Sequence, residues 1–175
     1  NSCAYIADIT IPFLLFVPVT LCVLCVFAVR FSHWISGGGR HPELLAAQGW
    51  AVLAPNYRGS SGRGRAFTLA IFNDYGNKEL RDIHGLVDQL VASGVADSTR
   101  LGVGGWSYGG LLTDCLIVAD SRFKAATSGA GAGDWFGMYG HDQYLTQYEL
   151  EFGAPWQDVA KWERMSAPFL HADRI

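Results

Sequence analysis

Hydrophobic and polar positions divide the chain into two unlike parts. From Ile9 to Val29 no residue is charged, and the run "ITIPFLLFVPVTLCVLCVFAV" is bounded by Asp8 and Arg30. Read as a helix, a run of that length can cross a bilayer. Pro12 and Pro18 interrupt it, and the same pattern fits a segment foreign to the domain behind it; hydropathy does not separate the two readings. As a membrane span, its flank of Arg30 and Arg40 would set the following domain on the cytoplasmic side. A secretory signal fits less well, because the run is long, has no basic segment before it and lacks a small-residue cleavage site. The chain is therefore expected to divide into residues 1–41, apolar segment plus loop, and residues 42–175, a folded domain.

Within the second part the periodicity alternates. "PELLAAQ", Pro42 to Gln48, predicts a short helix with proline in its first turn and Gly49 as its stop. "WAVLAP", Trp50 to Pro55, is a short apolar run without clean alternation, as in a strand covered on both faces. A glycine- and serine-rich loop follows, "NYRGSSGRG". Lys78 to Ser93 predicts an amphipathic helix, with Leu80, Ile83, Val87, Leu90 and Val91 on one face. "RLGVGGW" predicts a strand, "SYGGLLTDCLIVAD" a helix ending near Asp120, and "FKAATSGAGAG" a strand running into a loop. Helices alternating with strands imply parallel strands and crossover helices, an α/β fold with a mostly parallel sheet and helices on both faces.

Composition narrows the function. Half of the 175 residues are apolar and 13% aromatic, enough for a sizeable core. The net charge is −3, and the 13 cationic residues are scattered rather than clustered, which argues against nucleic acid as a partner. Cys3, Cys22, Cys25 and Cys115 show no disulfide-framework spacing. The Cys22-x-x-Cys25 pair lies inside the apolar run, away from any βαβ pattern or further zinc ligands. "SGGGR", Ser36 to Arg40, lacks the Lys-Ser/Thr of a phosphate-binding loop. No cofactor or metal is implied.

One motif carries chemistry. Gly105-Trp106-Ser107-Tyr108-Gly109 fits G-x-S-x-G and falls between a predicted strand and a predicted helix, the context that gives the letters meaning. The turn is sharp, and a side chain two residues to either side of the serine would strike the crossing strand or helix, so Gly105 and Gly109 are required. The serine oxygen is pushed out over the C-terminal edge of the sheet, with a helix N-terminus behind it. The Tyr108 N–H is placed to hold an oxyanion. Ser107 is thus the candidate nucleophile, Tyr108 the oxyanion donor, and Gly105 and Gly109 the elbow glycines.

With "LLAAQGWAVLAPNYRGSSGRGRAF", "DIHGLVDQLVASGVADSTRLGVGGWSYGG" and "RFKAATSGAGAGDW" the chain resembles the catalytic domain of the prolyl oligopeptidase family of serine peptidases, nearest its acylaminoacyl- and dipeptidyl-peptidase branches. The resemblance runs from about Leu44 to Ile175. It implies an α/β-hydrolase fold and, in an intact member, cleavage of short peptides through an acyl-enzyme on Ser107. It assigns the Asn56-Tyr57-Arg58-Gly59 loop an architectural role, with Arg58 as an internal ion-pair partner.

A serine hydroxyl needs a base and an orienting acid, which in this fold follow it in the order Asp or Glu, then His. The resemblance places both beyond "SAPFLHADRI". His141, in "YGHDQY", and His171, in "FLHADRI", read as loop residues, and His84 as a helix-flank residue; none is expected to serve. "SHWISGGGRHP" does not supply the His-Gly-Gly-Pro-like loop of the family. The chain as it stands is expected to be incomplete at both ends, without meaningful turnover, marginally stable and prone to associate. Two further functions fit the elbow: an esterase or lipase, and a membrane-tethered, non-catalytic pseudo-hydrolase that binds a partner.

Overall fold

A computed structural model describes Leu15–Phe16, Cys25–Val26 and residues 50–175. Strands β1 (Leu15–Phe16), β2 (Cys25–Val26) and β3 (Ala51–Leu53) form one sheet in the order β1-β3-β2. β1 runs antiparallel to β3 and β2 parallel to it. β4 (Leu101–Trp106) and β5 (Phe123–Gly129) form a second, parallel pair, and β2 comes alongside β4. β1 and β2 both fall inside the apolar Ile9–Val29 run. The rest of that run, the loop to Arg40 and the helix expected at Pro42–Gln48 lie outside the described residues. Among the described residues no helix is long and apolar enough to cross a membrane.

The helices follow their sequence patterns. After the short α1 (Arg65–Thr68), helix α2 spans Lys78–Ala92 and buries Glu79, Leu80, Ile83 and Val87, one stripe at 3 and 4 spacing. Helix α3, Tyr108–Ala119, is apolar on nearly every side and is buried accordingly at Leu111, Leu112, Thr113, Cys115, Leu116 and Val118. It packs on β4, β5 and α2, and so forms the centre of the core. The crossover from β4 through α3 to β5 is the connection that parallel neighbours require.

Beyond β5 come four short helices, α4 (Trp135–His141), α5 (Leu145–Phe152), α6 (Val159–Met165) and α7 (Ala167–Leu170). The first three are held by rings rather than by long stripes. Trp135 meets Tyr148 and Phe152 edge-to-face, both with centroids 5.4 Å apart, and Trp162, fully buried, meets Tyr139 at 5.3 Å. Polar caps complete them. The Asp134 carboxylate accepts the Phe136 N–H at 3.1 Å, and the buried Ser166 Oγ accepts the Trp135 N–H at 3.0 Å. His141 is the last residue of α4 rather than a loop residue, and His171 caps the C-terminus of α7. Short helices with aromatic anchors leave too little periodicity for a sequence reading to find them.

Candidate active site

The chain turns from β4 into α3 at Ser107, with φ 57° and ψ −120°, a backbone conformation that L-residues avoid. Two elements hold it there. The Ser107 N–H donates to the Gly129 carbonyl of β5 at 2.9 Å, and the Ser107 carbonyl accepts the Leu111 N–H at 3.0 Å as the first turn of α3. The side chain is exposed and does not cap its own helix, and among the described residues nothing hydrogen-bonds to Ser107 Oγ.

Close packing of backbone on backbone makes the turn. A Cβ on Gly105 would lie 2.3 Å from the Gly109 carbonyl oxygen and 2.7 Å from its Cα. This approach of strand to helix leaves no room for a side chain at Gly105. A Cβ on Gly110 would lie 2.5 Å from the Gly129 oxygen, so α3 also presses against the end of β5. Gly129 in turn lies under the Trp106 ring, 2.3 Å from where its Cβ would be, while the ring's other face leaves Trp106 65% exposed. The pattern "GAGAG" therefore records packing contacts that the motif alone did not reveal.

Tyr108, the first residue of α3, has an N–H outside the helix's own ladder. Its side chain runs inward. The ring packs edge-to-face on Tyr75 at 5.2 Å and near Tyr57 at 6.3 Å, and its hydroxyl donates to Glu79 of α2. Glu79 is fully buried, and its other carboxyl oxygen accepts the Asn77 N–H at 3.3 Å. Burial pushes the Glu79 carboxyl up, against the Tyr108 hydrogen bond that favours its charged form. Burial and the neighbouring carboxylate push the Tyr108 hydroxyl well above its ordinary value. Glu79 escaped the sequence reading, although one signal was present: an acidic residue four and eight positions before Ile83 and Val87, on the stripe that α2 buries.

The loop after β3 is tied by Arg58, whose guanidinium forks onto Asp82 of α2 (Nη2 to Oδ1, 2.7 Å; Nε to Oδ2, 2.9 Å) while its own N–H donates to Oδ2 at 2.9 Å. The expected internal ion pair is present. The histidines are spread apart. His84 lies on α2 with Nε2 3.9 Å from Asp120, the residue that ends α3. Twelve residues of helix separate that end from Ser107, about 18 Å. His141 lines a cavity of about 760 Å³ with Asp134, Met138 and Asp142, past the C-terminal end of β5. No described hydrogen bond joins His141 or His171 to Ser107. Among the described residues no cluster of histidine, cysteine and carboxylate side chains could hold a metal ion.

A strained serine raised between a parallel strand and the helix that follows has the backbone geometry of the strand–turn–helix elbow found in α/β hydrolases. Residues 39–174 match the prolyl oligopeptidase family of peptidases, and the chain belongs to that family. An uncharacterized peptidase of Bacillus subtilis is 36% identical over 138 residues, 76% of this chain and 20% of that protein. Dipeptidyl-peptidase 5 of Porphyromonas gingivalis is 34% identical over 134 residues, 76% of this chain and 18% of its own. The chain thus spans about a fifth of the length of these relatives. Among solved structures, a puromycin-hydrolyzing peptidase of Mycobacterium tuberculosis superimposes with a TM-score of 0.72 at 28% identity, over 90% of this chain and 24% of its own. Acylaminoacyl peptidase of Pyrococcus horikoshii gives 0.74 at 22% identity, over 94% and 30%, a likeness of fold.

Proposed function

We propose that Ser107 is the nucleophile of a serine-type peptidase that cleaves short peptides through an acyl-enzyme, with the Tyr108 N–H as one oxyanion donor. The observation that carries this reading is the backbone of Ser107. It is held in an avoided conformation by bonds from β5 and α3, yet its side chain is exposed and, among the described residues, its hydroxyl has no hydrogen-bond partner. Strain of that kind costs about 1–3 kcal/mol, and a fold retains it where the side chain's direction matters. Attack by Oγ on the scissile carbonyl would form the ester and release the amine; water would then release the acid. The substrate would lie along the C-terminal edge of the sheet, with the cavity beside His141 next to it.

The proton from Oγ needs an acceptor, and among the described histidines His84 lies beside the far end of α3 while His141 and His171 lie at the ends of peripheral helices. Residues 1–175 alone are therefore proposed to turn over negligible substrate, with acid and base supplied by sequence outside this segment in the complete peptidase. Fluorophosphonate labelling and hydrolysis of a dipeptidyl p-nitroanilide, measured on the natural full-length product and on its Ser107→Ala variant, test the reading. Labelling and turnover that both vanish in the variant support it; turnover that survives overturns it. Faster hydrolysis of short-chain p-nitrophenyl esters than of the anilide would point instead to an esterase.

A further inference from the structure

The buried carboxyl of Glu79 has no part in the chemistry just described, yet it is aimed at the residue next to the nucleophile. A fully buried carboxyl is expensive to keep where an apolar side chain would fill the same space. Its two oxygens are both spoken for, one by the Tyr108 hydroxyl and one by the Asn77 N–H. The far end of the Tyr108 ring is thus pinned to α2, and its faces and edges are wedged by Tyr75 and Tyr57. The near end of the same residue carries the N–H behind Ser107. A rigid ring fixed at its tip leaves that peptide little freedom to rotate, and a satisfied buried network resists deformation more than packing alone.

We propose that Glu79 is a positioning residue: through the Tyr108 hydroxyl it holds the Ser107–Tyr108 peptide so that its N–H stays aimed at the oxyanion. The proposal rests on the reading of Ser107 as nucleophile. It differs from a purely structural role in what it does to the reaction, because an oxyanion donor acts on the transition state and not on the bound ground state.

The test uses the natural full-length protein with Glu79→Ala, Glu79→Gln, Tyr108→Phe and the double variant Glu79→Ala/Tyr108→Phe. Steady-state hydrolysis of a dipeptidyl p-nitroanilide is measured beside the rate of fluorophosphonate labelling. Misplacement of a donor by a fraction of an ångström predicts that Glu79→Ala and Tyr108→Phe each lower kcat about ten- to a hundredfold, with KM unchanged within about twofold. Glu79→Gln, which keeps an oxygen for the tyrosine hydroxyl, recovers most of the loss. The double variant is no slower than the slower single variant, since both break one linkage. Folded Tyr108→Phe with parental kcat overturns the proposal, as do losses that multiply in the double variant or that appear wholly in KM. If Glu79→Ala does not fold, Tyr108→Phe and Glu79→Gln decide alone. These outcomes are separable from failure of the nucleophile reading, which shows as absent labelling of the parent or labelling that persists in Ser107→Ala, and which overturns this proposal with it.

Discussion

β4 and β5 are partners in one parallel ladder, aligned from Gly102 against Ala125 to Trp106 against Gly129, yet they live in different surroundings. Five of the six residues of β4 are buried; five of the seven residues of β5 are exposed. Each begins with an aspartate that folds back on the chain ahead of it. Asp97 accepts the Thr99 N–H at 2.8 Å and the Arg100 guanidinium at 2.7 Å just before β4, and Asp120 accepts the Arg122 N–H at 2.9 Å just before β5. Similar starts lead to unlike strands: α3 packs on both, but β2 comes alongside β4, whereas among the described residues β5 has β4 as its one strand neighbour. For the site, β4 supplies the rigid approach to Ser107, and β5 supplies chiefly backbone, through the Gly129 carbonyl.

That contrast can be broken at several strengths. The largest effect is expected at Gly105, where a side chain meets the Gly109 backbone, which cannot swing away: Gly105→Val should lower stability by about 3 kcal/mol or more, against about 0.5 kcal/mol or less for Ala125→Val on β5. Urea melts of the two variants give the comparison, and equal losses would show that the two strands are equally constrained. Next comes the cover of β4. Leu112→Ala on α3 should cost about 2–5 kcal/mol by emptying a fully buried site, read from the same melts.

A smaller effect carries the opposite sign. Ser107→Gly should be more stable than Ser107→Ala by about 1 kcal/mol, because glycine adopts positive φ without the clash that any Cβ makes. Equal melting of the two would mean that the elbow is not strained in solution. The smallest effect lies at the start of β4. Hydrogen bonds from Thr99 and Arg100 lower the Asp97 carboxyl from its usual 3.8 to about 2. The unfolded chain takes up that proton first as pH falls, so the stabilisation is complete above pH 3.8 and fades as pH falls through about 2. Asp97→Asn should therefore differ from the parent near neutrality and approach it toward pH 2, as followed by melts across that range.

Much of this was legible in the residues. α2 spans Lys78–Ala92 against an expectation of Lys78 to Ser93, because its stripe of Leu80, Ile83 and Val87 repeats at helical spacing over about two turns. β4, the turn and α3 lie within a residue of their expected limits, since glycine, exposed serine and a mostly apolar helix allow few alternatives. The peripheral helices were not found. Helices of seven or eight residues, such as Trp135–His141 and Leu145–Phe152, take their stability from rings distant in sequence, as when Tyr75 meets Phe152 at 4.8 Å. Glu79 was hidden for a related reason. Its partner is Tyr108, in another helix, and no local pattern announces a contact of that kind.

The Arg58–Asp82 fork has a consequence for how the protein breathes. It joins two points far apart along the chain and encloses α1 and the glycine-rich loop between them, much as a reversible staple would. Amide protons from Gly59 to Asn77 should then exchange with solvent as one cooperative block rather than fraying separately, and releasing the staple with Asp82→Asn should accelerate the whole block while leaving β4 and α3 protected.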